Sequence, residues 1–440
     1  MQTEQSNAVS FDFIGGKDVM PITGYFGPHL LFEQGKKDGF PDLYKEETFQ
    51  MIADLGIKVI VYFHVDYKEN PEEVKQCLEL GEKYGIGIFV LDENVIGQAG
   101  KGEIDAKEIE RFVQEYSDYP AFCGMYVIDE PQGTLYEPGK GSRVVTKYGE
   151  IAKVLQYEMG LPCYLNMLPI WRMEEGERKA NYEQYVAEFC EILQPKILMW
   201  DNYPFASKEG FYAYFYNMNL MREWAKKQQV PFWAFIQAGA QWNDDKKHFD
   251  SVRPYFPNEA QFQWNVNTCL AFGAQGIQYF PLIQPEHFTW AESTKWDFRR
   301  NGMIGADGKK NQWFDYAKRI NKHIRAIDEV LMHSVHQGII VTSKKAKEDV
   351  RLITCEIESQ KFNELQSVTG NVMVGCFDYS GKTALYVVNY DMESGQSIIV
   401  NFDDSYQMSV YQNAQLSDTK TQSLQLDMAA GEGMLIVIES

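Results

Sequence analysis

With 440 residues, 45% of them hydrophobic and 14% aromatic, the chain exceeds what one ordinary core accommodates, and two domains are expected. A formal charge of −20 argues against a polyanion such as nucleic acid, which calls for clustered Lys and Arg; a neutral ligand would not be repelled. No window approaches the roughly eighteen unbroken apolar residues of a membrane span.

Seven cysteines and seven histidines lie scattered, without C-x-x-C or H-x-x-x-H spacing, so neither a metal nor another cofactor is expected. The start, Met1 to Ser6, lacks a basic stretch followed by an apolar one. Together with cysteines inside apolar runs, this leads us to expect a reducing, cytoplasmic setting, although a trimmed leader is compatible with the same start. A homo-oligomer is compatible with the sequence, which does not decide the point.

The first 333 residues alternate strand-like and helix-like segments. Val19–Phe26 reads as the first strand, and a helix from Glu46 follows, closing on Gly56. Strand two is Lys58–His64; Pro71 opens a helix that closes on Gly85. Strand three, Ile86–Leu91, runs into Asp92 and Glu93. Strand four, Ala121–Ile128, ends abruptly in Asp129-Glu130-Pro131, and Pro131 cannot extend a ladder. Strands five to eight are Pro162–Met167, Lys196–Trp200, Pro231–Ile236 and Gly276–Phe280, each followed by a helical stretch. Eight such units, spaced at roughly 35 residues, predict a (β/α)8 barrel over residues 1–333. A doubly wound sheet is the competitor, but Gly24-Tyr25-Phe26-Gly27 after strand one is no phosphate loop. From Ser334 the pattern changes to short strands (338–342, 350–354, 372–377, 384–388 and 433–438) separated by turns such as Tyr379-Ser380-Gly381-Lys382. Residues 334–440 therefore read as an all-β accessory domain, expected to be a small sandwich of about 100 residues.

One rim of the barrel gathers the chemistry. The strand ends carry His64, Glu93, Asp129 and Glu130, Asn166, Asp201 with Tyr203, Gln237 and Tyr279, and the neighbouring loops add Tyr25, His29 and Trp242. The opposite rim holds ordinary turn residues. Rings stack on the apolar faces of sugars, while amides and carboxylates bond hydroxyls, so a carbohydrate is the expected ligand. Glu130, Asp201 and Asp129 are the candidate catalytic groups; the other nine are candidates for substrate binding.

Tyr126-Val127-Ile128-Asp129-Glu130-Pro131 resembles the Asn-Glu-Pro signature of clan A retaining glycoside hydrolases, and Glu259–Trp264 through Gly273–Phe280 is similar to the last units of β-galactosidase-type barrels. The resemblance implies a glycosidase in which Glu130 is the acid/base, with Asp129 in place of the usual asparagine. It departs from the family at strand seven, where Gln237 stands instead of the nucleophilic glutamate. Asp201, on a strand of the same parity as strand four, is then the expected second carboxylate, as nucleophile or as base. Some retaining α-glycosidase clans use strands four and six in the reversed sense, which leaves both the roles and the stereochemistry open. Two alternatives stand beside this reading. One is a non-catalytic carbohydrate-binding barrel. The other is a metal-dependent lyase or isomerase using Asp66, Asp92, Glu93, Glu130 and Asp201 around a divalent cation.

Overall fold

The computed structural model describes residues 18–31, 33–61, 71–97, 105–131, 141–170, 177–206, 211–240, 256–286, 300–350 and 364–439. Eight parallel strands close into a barrel in sequence order. They are β1 (Ile22–Tyr25), β2 (Val59–Val61), β3 (Gly87–Val90), β4 (Phe122–Asp129), β5 (Cys163–Met167), β6 (Leu198–Trp200), β7 (Phe232–Gln237) and β8 (Ile277–Phe280). Closure is direct, with Thr23 in register with Val59 on one side and with Gln278 on the other.

The helices are α1 (Glu33–Lys37), α2 (Glu46–Asp54), α3 (Pro71–Tyr84), α4 (Glu93–Ile96), α5 (Ala106–Ser117), α6 (Gly141–Lys153), α7 (Glu177–Leu193), α8 (Tyr212–Gln228), α9 (Glu259–Ala271) and α10 (Gln312–Met332). Their ends follow local chemistry. Asp105 caps α5 by accepting from the Lys107 and Glu108 amides, and Asn258 and Gln261 form a capping box on α9. Gly56, Gly85 and Gly273 turn the chain back toward the next strand with positive φ, a conformation glycine adopts without a Cβ penalty.

Alternation along the strands separates two cores. Outward residues such as Ile60, Ile88, Leu165 and Ile236 pack under the helices. Inward ones (Val59, Val61, Phe89, Tyr126, Tyr164, Met199, Trp233 and Phe235) fill the barrel with rings and branched chains.

Only His333 separates α10 from β9 (Ser334–Val341). After the short α11 (Lys344–Asp349) come β10 (Leu365–Val368), β11 (Val372–Tyr379), β12 (Lys382–Asn389), β13 (Gln396–Gln412), β14 (Gln415–Met428) and β15 (Gly433–Glu439). They form one antiparallel sheet, ordered β10-β13-β15-β12-β11-β9, with β14 paired to β13. The β13–β14 ladder breaks between Asn401 and Tyr406. Ile398, Val400 and Phe402 thereby join Val374, Leu385 and Ile436 in an inner core of their own. The other face of the sheet (Met373, Phe377, Ala384, Tyr386, Val388, Leu435 and Val437) is continuous with the barrel's outer core. It meets α9, where Tyr386 donates to Asn267 Oδ1 at 2.8 Å and Asn267 donates to the Gly431 carbonyl at 2.8 Å.

Among its described residues the accessory region is thus all-β except for α11. Of the five strands expected there, 350–354 falls at and beyond the end of α11, largely outside the described residues. Three that are present (β10, β13 and β14) were not expected. No helix among the described residues is long and apolar enough to cross a membrane.

Candidate active site

Two consecutive carboxylates cannot both point inward from a regular strand, because side chains alternate. This chain solves the problem twice. The β4–β5 register slips between Tyr126 and Ile128, inserting one residue, so that Val127 and Ile128 both face the outer core. Tyr126, three residues before Asp129, then faces the interior as Asp129 does. Glu130 follows with φ 40°, in the left-handed region that non-glycine residues rarely enter, while its amide donates to the Asn166 carbonyl at 3.1 Å. This backbone turn brings the Glu130 side chain back over the barrel mouth, where its charge raises the proton affinity of Asp201.

Asn166, in register with Asp129, ties the cluster together. Its Nδ2 donates to Asp129 Oδ1 at 2.9 Å and to Asp201 Oδ1 at 3.0 Å. The Tyr25 hydroxyl donates to Asp129 Oδ2 at 2.8 Å and lies 3.4 Å from the Tyr126 hydroxyl. Tyr203 lies near Asp201, whose charge adds to burial in raising the tyrosine's pKa, and stacks on Phe280 at 5.3 Å. Tyr164 lies stacked on Tyr126 at 5.1 Å. Its hydroxyl and Asn166 Oδ1 are buried polar atoms without a hydrogen-bond partner among the described residues.

Burial dominates the electrostatics. Desolvation pushes Asp129 up to about 6, and the Glu130 charge adds to the shift against the donors Asn166 and Tyr25. Asp201, 4% exposed, is raised well above the usual carboxylate range by burial and then by Glu130. Glu130 is raised by burial too. Two neighbouring buried carboxyls resist ionising together, so the pair titrates as a unit and carries one proton over part of the pH scale.

Of the twelve candidate residues, Tyr25, Asp129, Glu130, Asn166, Asp201 and Tyr203 meet in this cluster. Gln237 lies at the end of β7 with its amide committed elsewhere: Oε1 accepts from the Phe205 amide at 3.2 Å and Nε2 donates to the Gly239 carbonyl at 3.1 Å. His29 pairs with Glu286 at 2.7 Å, both buried. Glu93 opens α4 beside its cap Asp92, whose oxygens accept from the Asn94 amide and the Tyr116 hydroxyl, both at 2.7 Å. Tyr279 faces away from the barrel interior and donates to Asn321 on α10. His64, Asp66 and Trp242 lie outside the described residues. Tyr164 and Phe280 were not among the candidates. The alternation that sends Asn166 inward sends Tyr164 the same way, and that signal was present in the sequence.

Fold and site together define a (β/α)8 barrel with a buried carboxyl cluster at its strand ends and an all-β C-terminal unit. No protein-family model matches the sequence, and no curated protein matches it. Among solved structures, α-amylase from H. orenii aligns with a TM-score of 0.51 at 10% identity, over 96% of this chain and 100% of that one. A GH27 β-L-arabinopyranosidase from Geobacillus stearothermophilus aligns at 0.47 with 10% identity, over 96% and 97% of the two chains. A β-galactosidase from the psychrophilic Marinomonas ef1 gives 0.47 at 10% identity, over 72% of this chain; the match spans 62% of that enzyme's length. The structural neighbours are glycoside hydrolases of several kinds, and at such identity the likeness is one of fold. The architecture is that of the glycoside hydrolase barrels the sequence resembles, with Gln237 at the strand-seven position.

Proposed function

We propose that the protein hydrolyses a glycosidic bond in a neutral oligosaccharide or glycoside, with Glu130 and Asp201 as the working pair. The observation that carries this reading is the carboxyl cluster at the barrel mouth, where one Asn166 nitrogen holds both Asp129 and Asp201 beside Glu130 on its left-handed backbone. Strain of that kind persists where the surrounding structure demands it, and it concentrates at functional sites.

Asp201 receives a donor from Asn166, but burial and the Glu130 charge keep the resting proton on it rather than on the more exposed Glu130. The roles follow the resemblance: Asp201 passes its proton to Glu130 as substrate enters, Glu130 donates it to the leaving oxygen as the C1–O bond breaks, and the Asp201 carboxylate attacks C1 to form a glycosyl ester. Glu130, now ionised, takes a proton from water, whose oxygen attacks C1 and releases Asp201. The Glu130 charge reaches Asp201 strongly enough to raise its affinity for a proton, so the two carboxyls stand near one another. This favours the roughly 5 Å separation of retaining pairs over the 6.5–9.5 Å or so that leaves room for a water.

A panel of nitrophenyl glycosides tests the reading. The native protein is expected to turn over at least one with retention of configuration, read by proton NMR of the first-formed sugar. Glu130→Gln and Asp201→Asn should each lower kcat/KM by about 10²-fold or more. Full turnover in Glu130→Gln overturns the acid assignment. Sugar binding without turnover by the native protein supports instead the binding barrel, for which the amide of Gln237 at strand seven is the argument.

A further inference from the structure

Asp129 stands where the resembled signature has an amide, and both its oxygens are engaged: Oδ1 by Asn166 and Oδ2 by Tyr25. It is not placed to take a hydroxyl as a free acceptor. The same Asn166 nitrogen reaches Asp201, so a single amide joins the extra carboxylate to the working pair. We infer that Asp129 and Asn166 are a positioning couple that sets how firmly the Glu130–Asp201 pair holds its proton, Asp129 through its charge and Asn166 through its two donated hydrogens. The inference rests on the glycosidase reading for its catalytic meaning, though not for its electrostatics.

The groups facing this couple are known element by element. They are Tyr25 from β1, Tyr126 and Glu130 from β4 and its end, Tyr164 from β5, and Asp201 and Tyr203 from the end of β6, with Tyr148 of α6 acting on Tyr126. No ion pair among the described residues joins a lysine, arginine or histidine to any of the three carboxyls. Among the described residues the charge of Asp129 is opposed by the dipoles of Asn166 and Tyr25, and burial strengthens its influence on the pair. Its repulsion raises the affinity of Asp201 for a proton, and the Asn166 donor lowers it.

Two substitutions have opposite expected signs. Asp129→Asn removes the repulsion, so the pair should release its last proton about one pH unit lower, a tenfold weaker hold. Asn166→Ala removes a donor from the anionic form and should move the release upward. General loosening of the site would move both variants the same way. The readouts are the basic limb of the kcat/KM–pH profile and, independently, infrared titration of the protonated carboxyl band in the ligand-free protein, with Glu130→Gln and Asp201→Asn to assign it. Opposite shifts support the inference. Shifts of the same sign, or no shift in the near-isosteric Asp129→Asn, overturn it. If no glycoside turns over while the infrared shifts are opposite, the catalytic reading fails and the coupling stands.

Discussion

Gln237 stands at the strand-seven end, where the resembled barrels carry a glutamate, and its hydrogen bonds tie parts of the fold together: 0% exposed, its side chain links the backbone amide of Phe205, in the turn after β6, to the Gly239 carbonyl beyond β7, and its backbone amide donates to Asn265 Oδ1 on α9 at 3.0 Å. Truncation to Ala leaves a buried donor and a buried acceptor unpaired, with an expected loss of about 2–3 kcal/mol in urea unfolding. Gln237→Glu sets a carboxylate against the Gly239 carbonyl. We expect it to destabilise the fold and to give no gain in glycoside turnover, measured on the same nitrophenyl panel.

At the scale of elements, the joint between α9 and the sheet depends on missing side chains. A Cβ at Gly375 would lie 2.2 Å from the Ala271 carbonyl oxygen, and one at Gly431, where φ is 70°, 2.1 Å from that of Ala260. Backbone atoms cannot yield as a flexible side chain does, so Gly375→Ala and Gly431→Ala should each cost about 2 kcal/mol or more, seen as a lower Tm. The sequence revealed the barrel units well, because each strand is a continuous apolar run followed by a helix and many connections end in glycine. It was silent on the slip between Tyr126 and Ile128 and on the left-handed Glu130. Both arise from how β4 meets β5, and no local pattern encodes them. The β13–β14 hairpin was overlooked, although Ile398, Val400 and Phe402 alternate as strand residues should; Asp403 and Asp404 interrupt the pattern at the bend. The tight turn at Asn413 and Ala414, both with positive φ, lacks the glycine that usually marks it.

For the whole molecule, the outer core runs unbroken from the barrel shell into one face of the sheet. The apolar side chains on that face, at about 1.5–3 kcal/mol for each large one, are together comparable with the roughly 5–15 kcal/mol by which a domain is usually stable. A chain ending at residue 333 should therefore aggregate or melt far below the full protein, which circular dichroism and light scattering would show; a fragment with an unchanged Tm would contradict this. Lastly, the barrel is stoppered beneath its carboxyls by Trp233, Phe89, Tyr164 and Phe235, all at most 2% exposed. Among the described residues, what reaches Glu130 therefore comes from the strand-end side and leaves on it; if the protein is the glycosidase proposed above, accumulating product should slow turnover by competing with substrate there.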